Sequence, residues 1–397
     1  MNLKKLLFYI LVSSIACLHA IPSAAAERPA LGTWITVFSE ARVMESRQNV
    51  DKMLDVCENS GISDIYLQIY RSDKAYYNSD IADRSPFEAL KAKAGIDTIK
   101  YLLDRAHAKG IKVHAWLNML CLSQNETSGV VKRYGQDILT KDEFGRTPLR
   151  GKGTGDALDK YYQREDQLFL EPGDVRVRKY VVSLAEEVIR KYPGFDGLHL
   201  DYIRYPAAVP FMPGARFIPQ GLYYGYTKAN LAAFTAATGL DPRTMNKNFE
   251  NSKKWDDWHR NSVTAIVRET SQKARALKPG LKISCTTVAS PERTYYVTAQ
   301  DWNKWLKDKL VDYIVPMNYS EDPYVVDLNS RAMIYSAPGK KVYMGLGAYM
   351  LTQKPEVLKA QIKATKKLSP EGIVIFAYDD IAKNKDLQEF LYEEFGE

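Results

Sequence analysis

The stretch Phe195 to Pro206 reads Phe-Asp-Gly-Leu-His-Leu-Asp-Tyr-Ile-Arg-Tyr-Pro and sets an imidazole and a carboxylate two residues apart. In a strand, Leu198 and Leu200 fall on one face and His199 and Asp201 on the other. Groups of that kind are costly to bury without partners. Such a face suits a polar cavity, as at the C-terminal end of a strand in a (β/α)8 barrel, where Asp201 can do acid–base or nucleophilic work. The plain alternatives are a solvent-facing strand, or a structural ion pair between Asp201 and Arg204.

The rest of the chain supplies what would position that face. Strands are expected at 31–37, 64–70, 112–119, 197–203, 282–288, 312–318, 341–348 and 373–378. Between them apolar residues recur at helical spacing: Val50, Met53, Leu54 and Cys57; Ile99, Leu102, Leu103 and Ala106; Val177, Val181, Leu184, Ala185 and Val188. Further helices are expected at 226–238, 255–277, 302–309, 356–368 and 386–395, and Asp97 is expected to cap its helix. Steady alternation over eight strands predicts a single α/β barrel of the TIM type spanning 27–397. A doubly wound sheet would carry a Gly-rich phosphate turn after its first strand, and Val37-Phe38-Ser39-Glu40 is not one. Two long excursions interrupt the pattern, 121–170 after the third strand and 206–225 after the fourth. The first holds a short element near Val130 to Leu139, and long loops on a rigid barrel commonly form walls or lids.

Barrel chemistry collects where strands end. The residues there are Trp34, Gln68, Arg71, Trp116, Asn118, His199, Asp201, Arg204, Glu292, Asn318, Tyr319, Tyr349, Tyr378, Asp379 and Asp380. Aromatic faces stack on sugar rings, while amides and carboxylates bind hydroxyls. Tyrosine pairs at 76–77, 161–162, 223–224 and 295–296 extend that bias, although any one of them also serves loop packing. Glycoside hydrolysis needs two carboxyl groups flanking the scissile bond. Asp201 is the candidate nucleophile or base, oriented by His199 and Arg204. Glu292 is the candidate partner, with Asp322, Asp379 and Glu171 as rivals and a solvated pair with Arg293 as its plain alternative.

Composition bounds the partners. The chain has 397 residues and a net charge of +7, with no Lys/Arg block, so no nucleic-acid groove is indicated. Lys4-Lys5, the apolar run from Leu6 to Cys17 and Ala24-Ala25-Ala26 read as a cleaved signal peptide at 1–26. Export to the periplasm or beyond is therefore expected, without a membrane-spanning segment. Ser14-Ile15-Ala16-Cys17 is a poor lipoprotein signal, which leaves a lipid anchor at Cys17 as the lesser alternative. Cys57, Cys121 and Cys285 remain, with no CxxC or Cys/His metal spacing, and read as three buried thiols. Neither a metal nor a cofactor is expected.

Four stretches resemble the glycosyl-hydrolase-like family 10 domain of exported bacterial proteins. They are Leu31-Gly32-Thr33-Trp34, Gln68 through Asp73 to Ser79, Ala106 through Lys112 to Asn118, and Phe195 to Pro206. The last matches the family's Asp-Gly-x-His-x-Asp-Tyr-x-x-Tyr-Pro strand and is the most specific. The resemblance implies a (β/α)8 glycosidase acting on bacterial polysaccharide, with peptidoglycan strands among the substrates. It places Asp201 at the catalytic position and Trp116, Asn118 and His199 in the cavity lining. Met119-Leu120-Cys121 departs from the family's Asn-Pro-Tyr-Arg. His199 and Ile203 replace two acids of the chitinase pattern, which disfavours substrate-assisted chemistry of that kind. Two other functions fit the residues: a catalytically silent barrel that binds envelope glycan, and a metal-dependent deacetylase using His199 and Asp201.

Overall fold

Eight apolar, alternating segments pair in parallel and the last closes on the first. The computed structural model describes residues 29–149, 162–210 and 223–396. The barrel strands are β1 (Ala30–Ile35), β2 (Asp64–Arg71), β3 (Lys112–Asn118), β4 (Gly197–Asp201), β5 (Lys282–Val288), β6 (Tyr313–Asn318), β7 (Tyr343–Gly347) and β8 (Gly372–Phe376). Each pairs with its neighbour in chain order, and β1 pairs with both β2 and β8. The helices that follow them are α1 (Arg47–Asn59), α2 (Thr98–Ala108), α3 (Val175–Lys191), α4 (Phe249–Leu277), α5 (Trp302–Lys307), α6 (Pro323–Ser336), α7 (Pro355–Lys366) and α8 (Lys385–Phe395), and the expected helix ahead of α4 forms at Lys228–Thr238. The fold is the closed TIM barrel that the alternation predicts.

The helices start where side chains satisfy their orphan N–H groups: Ser46 accepts from Asn49, Asp97 from Ile99 and Asp174 from Arg176. The expected stripe on α3, from Val177 to Val188, is buried against the sheet. Each such aliphatic side chain contributes about 1.5–3 kcal/mol through burial. Cys57, Cys121 and Cys285 are free and buried.

The barrel interior is aromatic. Trp34, Tyr66, Trp116, Tyr313, Val315 and Val374 pack together inside it. Large rings fit there because neighbouring strands present glycine. A Cβ on Gly197 would stand 2.0 Å from His114 Nδ1. His114 cannot yield, since its Nε2 lies 2.9 Å from Asp64 Oδ1 and its ring stacks on Tyr66 at 4.7 Å. Gly197→Ala is therefore expected to cost about 2 kcal/mol or more in urea unfolding. A loss under about 0.5 kcal/mol would mean that the ring has room to move.

Several boundaries differ from the expected ones. Strand β4 stops at Asp201 rather than residue 203, because Tyr202 takes a left-handed φ of 50°. That conformation is strained for a bulky residue. Helix α6 was not expected, since Ser330 interrupts its apolar stripe of Val326, Met333 and Ile334. Strand β8 ends at Phe376, and Tyr378–Ala382 is a short helix. Short helices also form at Ser85–Ala94 and Pro291–Tyr296, in segments expected to be loop.

The long excursions are partly ordered into the scaffold. Cys121–Ser123 pairs with Leu168–Phe169, and Tyr162–Arg164 with Ala208–Pro210, which ties the two excursions together. Gly129–Tyr134 is a helix that overlaps the expected short element. The expected signal peptide, Cys17, Tyr161 and residues 211–222 lie outside the described residues. Among the described residues no helix is long and apolar enough to cross a membrane.

Candidate active site

Alternation along β3, β4 and β5 turns Trp116, Asn118, His199, Asp201, Ser284 and Thr286 inward. Asp201 is the last residue of β4 and is 4% exposed. Its Oδ1 accepts from Thr286 Oγ1 at 2.5 Å and from the Tyr202 backbone N–H at 2.7 Å. Its Oδ2 accepts from Trp116 Nε1 at 3.0 Å. A carboxylate has four lone-pair positions, so one on Oδ2 is left for chemistry. The strained turn at Tyr202 delivers its N–H to this carboxylate. Burial pushes the Asp201 carboxyl above the ordinary aspartate range, while Thr286, Tyr202 and Trp116, followed by the Arg204 charge, oppose the rise. The result is a carboxylate more basic than an exposed one.

Asp201 opens on a cavity of about 740 Å³, counting the solvent at its mouth. Rings of Trp34, Trp116, Tyr202, Tyr319 and Phe376 form much of the wall, and Gln68, Asn118 and Gln167 add amides. Tyr319 stacks on Phe376 at 5.6 Å and meets Trp34 edge-on at 6.4 Å. Burial first, then the Asp201 charge, pushes the Tyr319 phenol well above its usual range, so it stays protonated and can donate. Gln68 Nε2 donates to Asn118 Oδ1 at 3.1 Å and holds both amides at the rim. Among the described lining residues Asp201 is the one carboxylate and Arg71 the one cation. A broader depression beside Pro29, Ile62, Lys109 and Phe395 lies at the opposite end of the barrel, where these folds do not place catalysis.

The structure brings together Trp34, Gln68, Arg71, Trp116, Asn118, Asp201 and Tyr319, sets Tyr349 edge-on against Tyr319 and Phe376 of the wall, and turns the other candidates elsewhere. His199 lies below the cavity. The Trp34 indole only donates, so its bond to His199 Nε2 at 3.1 Å makes Nε2 an acceptor and leaves the proton on Nδ1, which donates to Ser284 Oγ at 2.8 Å. Burial, then His114, holds His199 well below its usual range, and it is neutral. Both ring nitrogens are occupied, so no lone pair remains for a metal, and the deacetylase alternative loses its ligand. Arg204 pairs with Glu165 at 2.6 and 2.9 Å rather than contacting Asp201. Asn318 points outward, bonding Val326 O and Ser330 Oγ on α6. Tyr378 is buried in the core. Asp379 clamps the loop after β1, accepting from Ser39 Oγ and the Glu40 and Ala41 N–H groups.

None of the expected second carboxylates reaches this cavity. Glu292 is exposed and lines a separate hollow with Tyr295, Tyr296 and Trp302. Asp322 caps α6 through the Tyr324 N–H. Glu171 is fully buried, accepting from Tyr205 Oη at 2.6 Å and Thr140 Oγ1 at 2.8 Å. Thr286, Tyr202, Gln167 and Glu165 were not among the candidates. For Thr286 a signal existed, because Ser284 and Thr286 share one face of their strand and reach its C-terminal end. For Glu165 and Gln167, within a long excursion, no periodic signal exists.

A family model described as "Glycosyl hydrolase-like 10" matches residues 30–352. The chain is 23% identical over 379 residues to "Glycosyl hydrolase DigH" of Escherichia coli K12, covering 90% of this chain and 75% of that protein. Among solved structures, the catalytic domain of β-amylase from Paenibacillus polymyxa superposes with a TM-score of 0.54 at 15% identity, over 90% of this chain and 94% of that one. α-L-Fucosidase isoenzyme 2 from Paenibacillus thiaminolyticus gives 0.55 at 13% identity, over 92% and 49%. These two likenesses show the barrel fold.

Proposed function

The chain belongs to the glycosyl hydrolase-like 10 family, and we propose that it is an exported glycosidase that hydrolyses bacterial polysaccharide, with peptidoglycan glycan strands as substrate. The observation that carries the reading is Asp201, held by three donors with one Oδ2 lone pair open to an aromatic-walled cavity. In this proposal Oδ2 acts as nucleophile at the anomeric carbon or as base toward the attacking water. The Trp and Tyr faces hold the sugar rings, and the Gln68–Asn118 pair orients hydroxyls. The expected signal peptide supports export of the protein to the envelope, where such strands are found.

Incubating the protein with a panel of glycans, peptidoglycan strands included, and measuring new reducing ends tests the reading. Release from at least one glycan is expected, and release from none of them sinks it. A second reading is favoured by one observation, the single carboxylate among the described lining residues: a barrel that binds envelope glycan without cleaving it. Binding without release would select that one.

The hydrogen bond from Trp116 gives a further expectation. Trp116→Phe keeps the ring and removes the donor to Oδ2, which destabilises the charged form of Asp201 and raises its pKa. Activity that needs the carboxylate is lost as pH falls through that pKa, so the acid limb of kcat/KM moves to higher pH. At neutral pH kcat is expected to fall about tenfold. An unmoved acid limb would show that Asp201 does not govern it.

A further inference from the structure

Arg71 ends β2 at the rim of the Asp201 cavity, and its guanidinium lies 4.9 Å from the centre of the exposed Phe38 ring. The ring supports one flat face and leaves the N–H edge free. Arg204 shows how this protein satisfies such a group elsewhere. Its guanidinium also lies over an aromatic ring, Tyr202 at 4.9 Å, and Glu165 meets its N–H edge with two parallel bonds. Arg71 is half-buried, where Arg204 is buried, and it has no ion pair or hydrogen bond to the described residues, Asp201 included. Five N–H donors in a fork that matches a carboxylate therefore stand unused at the edge of a sugar-sized cavity.

We propose that Arg71 is a specificity-determining residue that binds a carboxylate carried by the glycan, an inference that rests on the glycosidase reading of the cavity. The ligand chemistry is a sugar with an acidic substituent, either the lactyl ether of a muramic residue or the carboxyl of a uronic acid. Arg71 makes no bond to Asp201, so it grips the substituent without neutralising the reacting carboxylate.

The test compares kcat/KM on an acidic glycan with kcat/KM on the same glycan after its carboxyls are reduced to alcohols. One arm uses peptidoglycan strands with free lactyl carboxylates and the other a uronic-acid polymer. The wild type is expected to prefer the acidic form by about 10- to 100-fold in one arm, which identifies the source. Arg71→Gln should collapse that ratio toward unity, chiefly through KM, and Arg71→Lys should recover much of it. A ratio near unity in both arms for the wild type, or one unchanged by Arg71→Gln, overturns the proposal. If no glycan is cleaved, the same ratio is read as binding affinity by calorimetry. A preference that collapses in Arg71→Gln then upholds the role of Arg71 while the hydrolase reading fails.

Discussion

Asp201→Asn is expected to lower kcat by about 10³-fold or more while glycan binding persists. The amide keeps the shape of the carboxylate but loses its charge and basicity, and the aromatic walls that hold sugar are untouched. Neither orientation of the new amide suits the site. With its oxygen toward Tyr202 and Thr286, its NH2 meets the Trp116 N–H, and when flipped it meets the Tyr202 N–H. A modest stability change of about 1–3 kcal/mol accompanies the substitution. Thermal melting must therefore confirm a folded protein before the rate is read. A kcat within tenfold of the wild type would remove Asp201 from the chemistry.

Glu165→Ala is expected to destabilise the protein by about 3 kcal/mol in urea unfolding. Glu165 satisfies the Arg204 guanidinium with two bonds and also accepts from the Ala207 N–H at 2.6 Å. The Arg204 side chain is 9% and the Glu165 side chain 18% exposed, so removing the acid leaves a desolvated cation without its partner. The same change alters Asp201. The Arg204 charge already opposes the burial-driven rise in the Asp201 pKa, and without Glu165 it does so uncompensated. Its pKa falls, and the acid limb of kcat/KM moves to lower pH, opposite to Trp116→Phe. A destabilisation under about 1 kcal/mol would mark the pair as solvated and energetically minor.

What was legible in the sequence is what alternation governs. Within a strand, period 2 fixes which side chains share a face, and so Trp116, Asn118 and Asp201 could be placed in one cavity from spacing alone. The same rule was available on β6, where Tyr313, Val315 and Met317 face inward and Asn318 must face out. Past the last strand residue the rule lapses, because the chain turns. Tyr202 goes left-handed, Asp379 sits in a helix, and Glu292 lies four residues beyond β5 in another helix. Polar groups there are taken by loop clamps and helix ends before any substrate is reached. His199 shows a subtler limit. Parity turned it inward correctly, but depth along the barrel decides whether an inward residue meets the cavity or the floor beneath it. Pairings such as Glu165 with Arg204 join segments 39 residues apart through an aperiodic excursion, and only the folded backbone brings them together.

The most direct measurement is cleavage of a glycan in heavy-oxygen water, with products reduced by borohydride and weighed by mass spectrometry. Hydrolysis through Asp201 predicts one heavy oxygen at each new reducing end from the wild type, and almost no product from Asp201→Asn. Products without the label, ending in an internal anhydro sugar, or equal yields from the two proteins, would contradict hydrolysis by this carboxylate.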